Sequence, residues 1–163
     1  MAPERLGELI DRHAAVLVLY ARQWCATPED VVQEAFVKLS AQDEEPHTPL
    51  AWLYRTVRNG AISAARSAMR RRRHEGHAAE LTRGWFREDT PAGLDADVVI
   101  EALADLPVQQ REVIVAHIWG ELTFAQIGEI SNSSAATAHR RYSAGLELLR
   151  ERLGEPCQTR PKH

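Results

Sequence analysis

Apolar side chains recur along most of this chain at spacings of three and four, the pattern of helices buried on one face. Leu6, Leu9, Ile10, His13, Val16, Leu17, Tyr20 and Trp24 share one such face. Thr27-Pro28-Glu29-Asp30 then reads as a helix start: an N-cap, a proline in the first turn, and acids at the positive end of the helix dipole. The helix it opens turns Val31, Val32, Ala35, Phe36 and Leu39 inward. Gln42 to Pro49 is polar and holds two prolines, which makes it a loop. A long helix follows from Leu50 to about Arg73, with Leu50, Leu53, Tyr54, Val57, Ala61 and Ile62 on its buried side and Gly60 as its weak point.

The periodicity fades from Glu75 to Leu94, where Gly76, Gly84, Pro91 and Gly93 lie among acids. Leu81, Trp85 and Phe86 are the residues there that fit a short docked helix. It returns at Val98, Val99, Ile100, Leu103 and Leu106, and Pro107 opens a helix with Val113, Ile114 and Ile118 that Gly120 ends. No useful strand alternation and no repeat is present. The predicted fold is all-α: a helical domain over 1–75, a flexible linker over 76–94, and a second helical domain with a C-terminal tail over 95–163. Domains this small sit near the lower limit for folding alone. Each has apolar faces of its own, so the two are expected to move independently.

Residues 122–142 read LTFAQIGEISNSSAATAHRRY. Thr123 fits the N-cap of a short helix to Ile130, Ser131-Asn132-Ser133 a turn, and Ser134 the N-cap of a longer helix. Ile127, Ile130, Ala138, Tyr142 and Leu146 can pack the pair together. That is helix-turn-helix spacing. The second helix would offer Ser134, Ala135, Thr137, His139, Arg140 and Arg141 near its start: small residues for close approach, and Thr and Arg for bases or phosphates. An ordinary helical hairpin with a solvated face has the same pattern. No glycine stands in the turn.

The net charge of −3 conceals a segregation. Between positions 51 and 73 stand Arg55, Arg58, Arg66, Arg70, Arg71, Arg72 and Arg73 without a single acid, while the flanking segments are acidic. Such a block seeks an anion, and arginine suits phosphate better than lysine does. A solvated helix end, or pairing with acids of residues 1–50, would also satisfy it. Two cysteines, Cys25 and Cys157, exclude a disulfide framework and a four-cysteine zinc site. His74 and His77 have helical spacing but no third ligand nearby. No phosphate-loop, dinucleotide, nucleophile-elbow or HExxH motif occurs, so neither a catalytic site nor a cofactor or metal site is expected. No apolar run approaches a membrane span, and the acids Glu4 and Glu8 do not suit a signal peptide. The reading is a cytoplasmic, non-enzymatic protein with no membrane insertion.

Two separate segments resemble one family. Asp30-Val31-Val32-Gln33-Glu34-Ala35-Phe36 resembles the D-x-V-Q-E-x-F signature of bacterial sigma factors, and Trp52-Leu53-Tyr54-Arg55-Thr56-Val57-Arg58-Asn59, then Arg66, resembles the W-L-x-x-I-x-R-N segment that follows it. Leu106-Pro107, Arg111-Glu112, Ile127-Gly128-Glu129-Ile130 and Thr137 resemble the family's C-terminal helix-turn-helix region. Their order and spacing resemble the compact extracytoplasmic-function (ECF) subgroup across nearly the whole chain.

The resemblance implies a sigma factor that binds core RNA polymerase and directs promoter-specific initiation, with an anti-sigma factor as an expected partner. It implies that Asp30, Gln33 and Glu34 contact the polymerase; their i, i+3, i+4 spacing places them on one helix face. Acids at a helix start also suit the dipole, which leaves Gln33 least explained. It implies that Trp52, Arg55, Arg58, Asn59 and Arg66 hold a promoter element with its strands apart, Trp52 fitting core packing as well as stacking. The helix-turn-helix would read a second, distal element as duplex. Ser63, Gln126, Ser131 and Ala138 depart from the family's usual Asp, Glu, Leu and Val. A stand-alone helix-turn-helix regulator, or a helical adaptor of the same fold, are the competing readings.

Overall fold

The computed structural model describes residues 2–75 and 101–154. Every regular element among them is helical. Helix α1 (Pro3–Ala21), α2 (Pro28–Ser40) and α3 (Pro49–Glu75) form the first domain. The second opens with helical residues 101–104 and continues with α4 (Val108–Ile114), a π-helical turn (Val115–Trp119), α5 (Phe124–Ile130) and α6 (Ala135–Gly154). The linker expected over 76–94 lies outside the described residues, as do His77 and Cys157.

Local chemistry accounts for most boundaries. α1 and α2 each begin with proline, whose fixed φ suits the first turn. Thr27 stands at the N-cap of α2 as expected, but its side chain makes no capping hydrogen bond. The π turn was not legible from periodicity. It closes through Gly120 N–H to the Val115 carbonyl at 3.1 Å, and Leu122 N–H then reaches the Ala116 carbonyl at 3.1 Å. One wider turn brings Val115 and Ala116 into the core and leaves Ile118 and Trp119 partly exposed.

The two domains share a core. Leu17, Tyr20, Val32, Phe36, Leu39, Leu53, Tyr54 and Val57 are continuous with Val113, Val115, Ala116, Leu122, Ile127, Ile130 and Ala138. A smaller cluster, Ala102, Leu103, Leu106, Ile114 and Leu149, belongs to the second domain alone. The sequence pointed to domains that move independently; in this structure the two sets of helices are docked through the shared core. Val115, Leu122 and Ile127 of the second domain are buried in the shared core and not in the smaller cluster.

A carboxylate lies at the centre of the docking. Glu112 of α4 is 3% exposed. Its Oε1 accepts from Tyr20 Oη of α1 at 2.8 Å and from Arg58 Nε of α3 at 2.6 Å. Arg58 also lies over the Trp24 ring, 5.6 Å from its centroid, and Tyr20 packs edge-on against Trp24 and Tyr54. Beside them Gly120 is pressed against Tyr54: a Cβ there would stand 2.4 Å from the Tyr54 hydroxyl. His13, buried on α1, has its pKa lowered by burial and by Arg12, against an opposing pull from Glu121 of the second domain.

Burial, with Glu112 next in weight, holds Tyr20 well above the ordinary tyrosine pKa, and burial does the same for Tyr54. Both must lose their protons more readily when unfolded. Above about pH 10 the unfolded chain therefore binds fewer protons, and stability falls as pH rises, by up to about 1.4 kcal/mol per pH unit for each tyrosine. Thermal melts from pH 8 to 11 should show that decline, and Tyr20→Phe should make it shallower.

Candidate nucleic-acid and polymerase interface

On α2 the buried residues Val31, Val32, Ala35, Phe36 and Leu39 leave Asp30, Gln33 and Glu34 exposed together on the opposite side. Glu34 Oε1 lies 2.8 Å from Lys38 Nζ, an i,i+4 pair in open solvent that contributes little to stability. Val37 stands one turn on from Gln33 and Glu34 and is 59% exposed. Sequence reasoning passed over it, although its i+3, i+4 spacing to those two residues puts an apolar side chain in the same row.

α3 presents two distinct faces. Leu53, Tyr54, Val57 and Ala61 are fully buried. Arg55, Asn59, Ser63 and Arg66 are exposed along the far side, and Trp52, partly buried against the core, begins that row. Trp52 is thus both a packing residue and the edge of an exposed strip. Arg58 is off the row. It turns to the flank, onto Glu112, with a side-chain exposure of 19%. Arg55 approaches Glu129 of α5 at 3.7 Å, a loose solvent-exposed contact. So two members of the arginine block meet acids, and those acids come from the second domain, not from residues 1–50. Further on, Arg70 donates to Ser67 Oγ, while Arg71, Arg73 and His74 are exposed.

The helix-turn-helix is built from α5 and α6. Thr123 accepts from Gln126 N–H at 3.3 Å while Gln126 Oε1 accepts from Thr123 N–H at 2.9 Å, a complete capping box. The departure at Gln126 therefore loses nothing structurally. Ser131 Oγ donates back to the Ile127 carbonyl at 2.8 Å and meets Ser133 Oγ at 2.9 Å, so the second departure tightens the turn. Asn132 takes φ 52°, a left-handed conformation that asparagine tolerates, and so replaces the missing turn glycine. The glycine sits one helix earlier: a Cβ on Gly128 would lie 2.8 Å from the backbone carbon of Ser134, so the two helices could not close with any larger residue.

Ser134 Oγ accepts from Thr137 N–H at 3.0 Å and donates to Thr137 Oγ1 at 3.0 Å, and Arg140 donates to the same Oγ1 at 3.2 Å. Ala138 and Gly145 face inward, while Ser134, Ala135, Ala136 and Arg140 are exposed and Thr137 half-exposed. Ala136 belongs in this row and was passed over. His139 lies at the edge, 5.1 Å from the Phe124 ring, and Arg141 is half-buried. The six proposed residues are therefore not equivalent: Ser134, Thr137 and Arg140 form a linked set, whereas His139 and Arg141 flank it.

The described residues contain no group of three or more His, Cys, Asp or Glu side chains that could hold a metal ion. No helix among them is long and apolar enough to cross a membrane.

An exposed row on a long arginine-bearing helix, together with a helix-turn-helix whose second helix has a pre-ordered first turn, suits the class of nucleic-acid-binding proteins. Comparison with known proteins gives the same class. The Sigma-70 region 2 family matches residues 9–71, and Sigma-70 region 4 matches residues 96–149. The chain is 32% identical to the ECF RNA polymerase sigma factor SigL of Mycobacterium tuberculosis, over 93% of this chain and 90% of that protein. It is 34% identical to the RNA polymerase sigma factor CarQ of Myxococcus xanthus, over 94% and 92%. The fold resembles the sigma factor RpoE of Bartonella quintana, solved with the anti-sigma factor NepR, with a TM-score of 0.71 and 22% identity over 94% of this chain and 99% of that one. CnrH, solved with the cytosolic domain of CnrY, gives a TM-score of 0.59 at 23% identity over 94% and 90%. The chain belongs to the ECF sigma factors, which direct transcription initiation.

The Ser134 cap can be tested directly. Ser134→Ala should cost about 1 kcal/mol, read as a lower Tm of the full chain, whereas Ser134→Asp should retain the cap and most of the stability.

Proposed function

We propose that this sigma factor divides its work among three exposed faces. Asp30, Gln33 and Glu34, with Val37 beside them, dock onto core RNA polymerase through α2. The α3 row of Trp52, Arg55, Asn59 and Arg66, with Arg58 on its flank, holds the separated strand of the nearer promoter element. Ser134, Ala135, Thr137 and Arg140, flanked by His139 and Arg141, read the distal element as duplex. The observation that carries this assignment is the exposed row on α3: a stacking edge, an amide and guanidinium groups along one side of a helix whose other side is fully buried. Guanidinium groups meet phosphates, and Trp52 and Asn59 suit an unstacked base.

The domain assignment remains 1–75 for polymerase and the nearer element, 76–94 as linker, and 95–163 for the distal element. Ser63 faces outward in the α3 row and offers a hydroxyl where the family often has a carboxylate, which alters promoter choice and leaves the fold untouched. The protein works in the cytoplasm, where its polymerase is, and performs no catalysis of its own. The sigma factor RpoE, of similar fold, was solved in complex with the anti-sigma factor NepR, and this chain is a candidate for the same kind of control.

Two experiments test the assignment. Glu34→Lys places a second cation beside Lys38 on the docking face; it should weaken core-polymerase binding about tenfold or more while circular dichroism stays unchanged. Retained affinity in a pull-down of the folded variant would remove Glu34 from the contact. Replacing Arg55 and Arg66 together by Ala should impair promoter melting more than polymerase binding, read by permanganate footprinting of the reconstituted holoenzyme. Normal melting would make the row structural.

A further inference from the structure

We propose that Arg140 reads a guanine of the distal promoter element and that Thr137 is the positioning residue that aims it. The inference rests on the assignment of α6 to duplex DNA and names the base that one of its residues recognises. Arg140 lies one turn beyond Thr137, and its Nη2 donates to Thr137 Oγ1 at 3.2 Å. Thr137 is itself held. Ser134 Oγ accepts the Thr137 N–H at 3.0 Å and donates to Thr137 Oγ1 at 3.0 Å. A hydroxyl oxygen has two lone pairs, and here both are taken. The exposed arginine is thus tied, through one hydroxyl, to the N-cap of its own helix. Arg58 and Arg152 meet carboxylates, but among the described residues Arg140 meets none. The Thr137 hydroxyl steers the guanidinium and leaves its charge uncompensated.

What remains free on Arg140 fits a guanine. Nη2 carries two hydrogens, and Thr137 takes one. Whichever it takes, a two-pronged edge is left: Nη1 with Nη2, or Nε with Nη2. Either edge matches the O6 and N7 acceptors that guanine shows in the major groove. The direction favours a base over a phosphate. Helical side chains lean toward the N-terminus, and the bond to Thr137 draws the guanidinium back over the first turn of α6. That turn is the part of a recognition helix that meets base edges. Ala135 and Ala136, exposed in it, allow close approach to the groove floor. An arginine that serves the phosphates reaches sideways to the strands and gains nothing from a tether across the first turn. Held before contact, Arg140 loses less rotamer freedom on binding, and its planar fork is presented in one orientation.

The test uses the full chain in holoenzyme with core RNA polymerase, which selects binders from a duplex DNA library with a randomised segment. The wild type should select a guanine at one position of the distal element. Arg140→Ala should lower that preference about tenfold or more and leave the other positions as they were. Thr137→Val keeps the branched shape and removes the hydroxyl; it should lower the same preference, whereas Thr137→Ser should retain it. In the Arg140→Ala background Thr137→Val should add nothing, since it acts through Arg140. Thr137→Ala, a better helix former, replaces Thr137→Val if valine upsets the turn. The inference is overturned if the wild type selects no guanine in the distal element, or if removing the Thr137 hydroxyl spares the preference or alters a different position. It is also overturned if Arg140→Ala weakens all sequences alike and lowers the salt slope by about 1, the mark of a phosphate contact. The assignment of α6 to DNA is judged separately, by Ala136→Glu, which sets an acid on the exposed first turn. If Ala136→Glu abolishes selection of the distal element while Arg140→Ala changes nothing, α6 meets DNA and only the role of Arg140 falls. If selection survives Ala136→Glu, both fall.

Discussion

A carboxylate taken out of water is unfavourable unless charge and hydrogen bonds meet it, and the other domain meets Glu112 with both. Tyr20 and Arg58 come from α1 and α3, residues 92 and 54 positions away. Removing one partner from a buried pair of this kind typically costs about 3–5 kcal/mol, because the survivor is left uncompensated. The apolar contacts around it follow from that placement: Tyr54 against Gly120, and Val115 and Ala116 beside the α1 and α3 side chains. Without the carboxylate the shared core would still be apolar, but it would lack the directional contact that sets where the domains meet.

The helices of both domains were legible because burial on one face leaves a periodic trace in the sequence. The caps were legible for a similar reason: Thr123 with Gln126, and Ser134 with Thr137, are bonds between residues three apart. What escaped was non-local. Arg58 reads as one of seven arginines without a counter-charge in its segment, and nothing near it in the chain announces Glu112. Glu112 itself reads as an ordinary polar position next to Arg111. The π turn escaped because one extra residue per turn shifts the apolar register only briefly, too briefly to alter a pattern read over several turns. The exposed row on α6 was mostly legible: Ser134, Ala135, Thr137 and Arg140 were named, but Ala136 has no chemistry to attract notice, and only the path of the helix shows it exposed.

The family departures divide along the same line. Gln126 and Ser131 act within one turn of the chain: Gln126 keeps the capping-box bond of the usual Glu, and Ser131 puts a hydrogen bond where the usual Leu has none. Ala138 is fully buried where Val is usual. Beside it, Gly128 lets the backbone of α5 approach Ser134 closely, and Phe124, His117 and Tyr142 fill the surrounding space with stacked and edge-on rings. A smaller side chain on one helix is thus matched by a closer backbone and larger rings on its neighbours. Ser63 has no such local partner, and its consequence falls on what α3 meets outside the protein.

The way the domains are joined also bears on how they part. An interface sealed only by apolar side chains would expose all of that surface on opening, with nothing to replace the lost contact. Here the central contact is between a guanidinium, a carboxylate and a phenol, groups that water accepts when they are exposed. The buried ion pair sets the position of the closed form, while its polarity limits the cost of opening it.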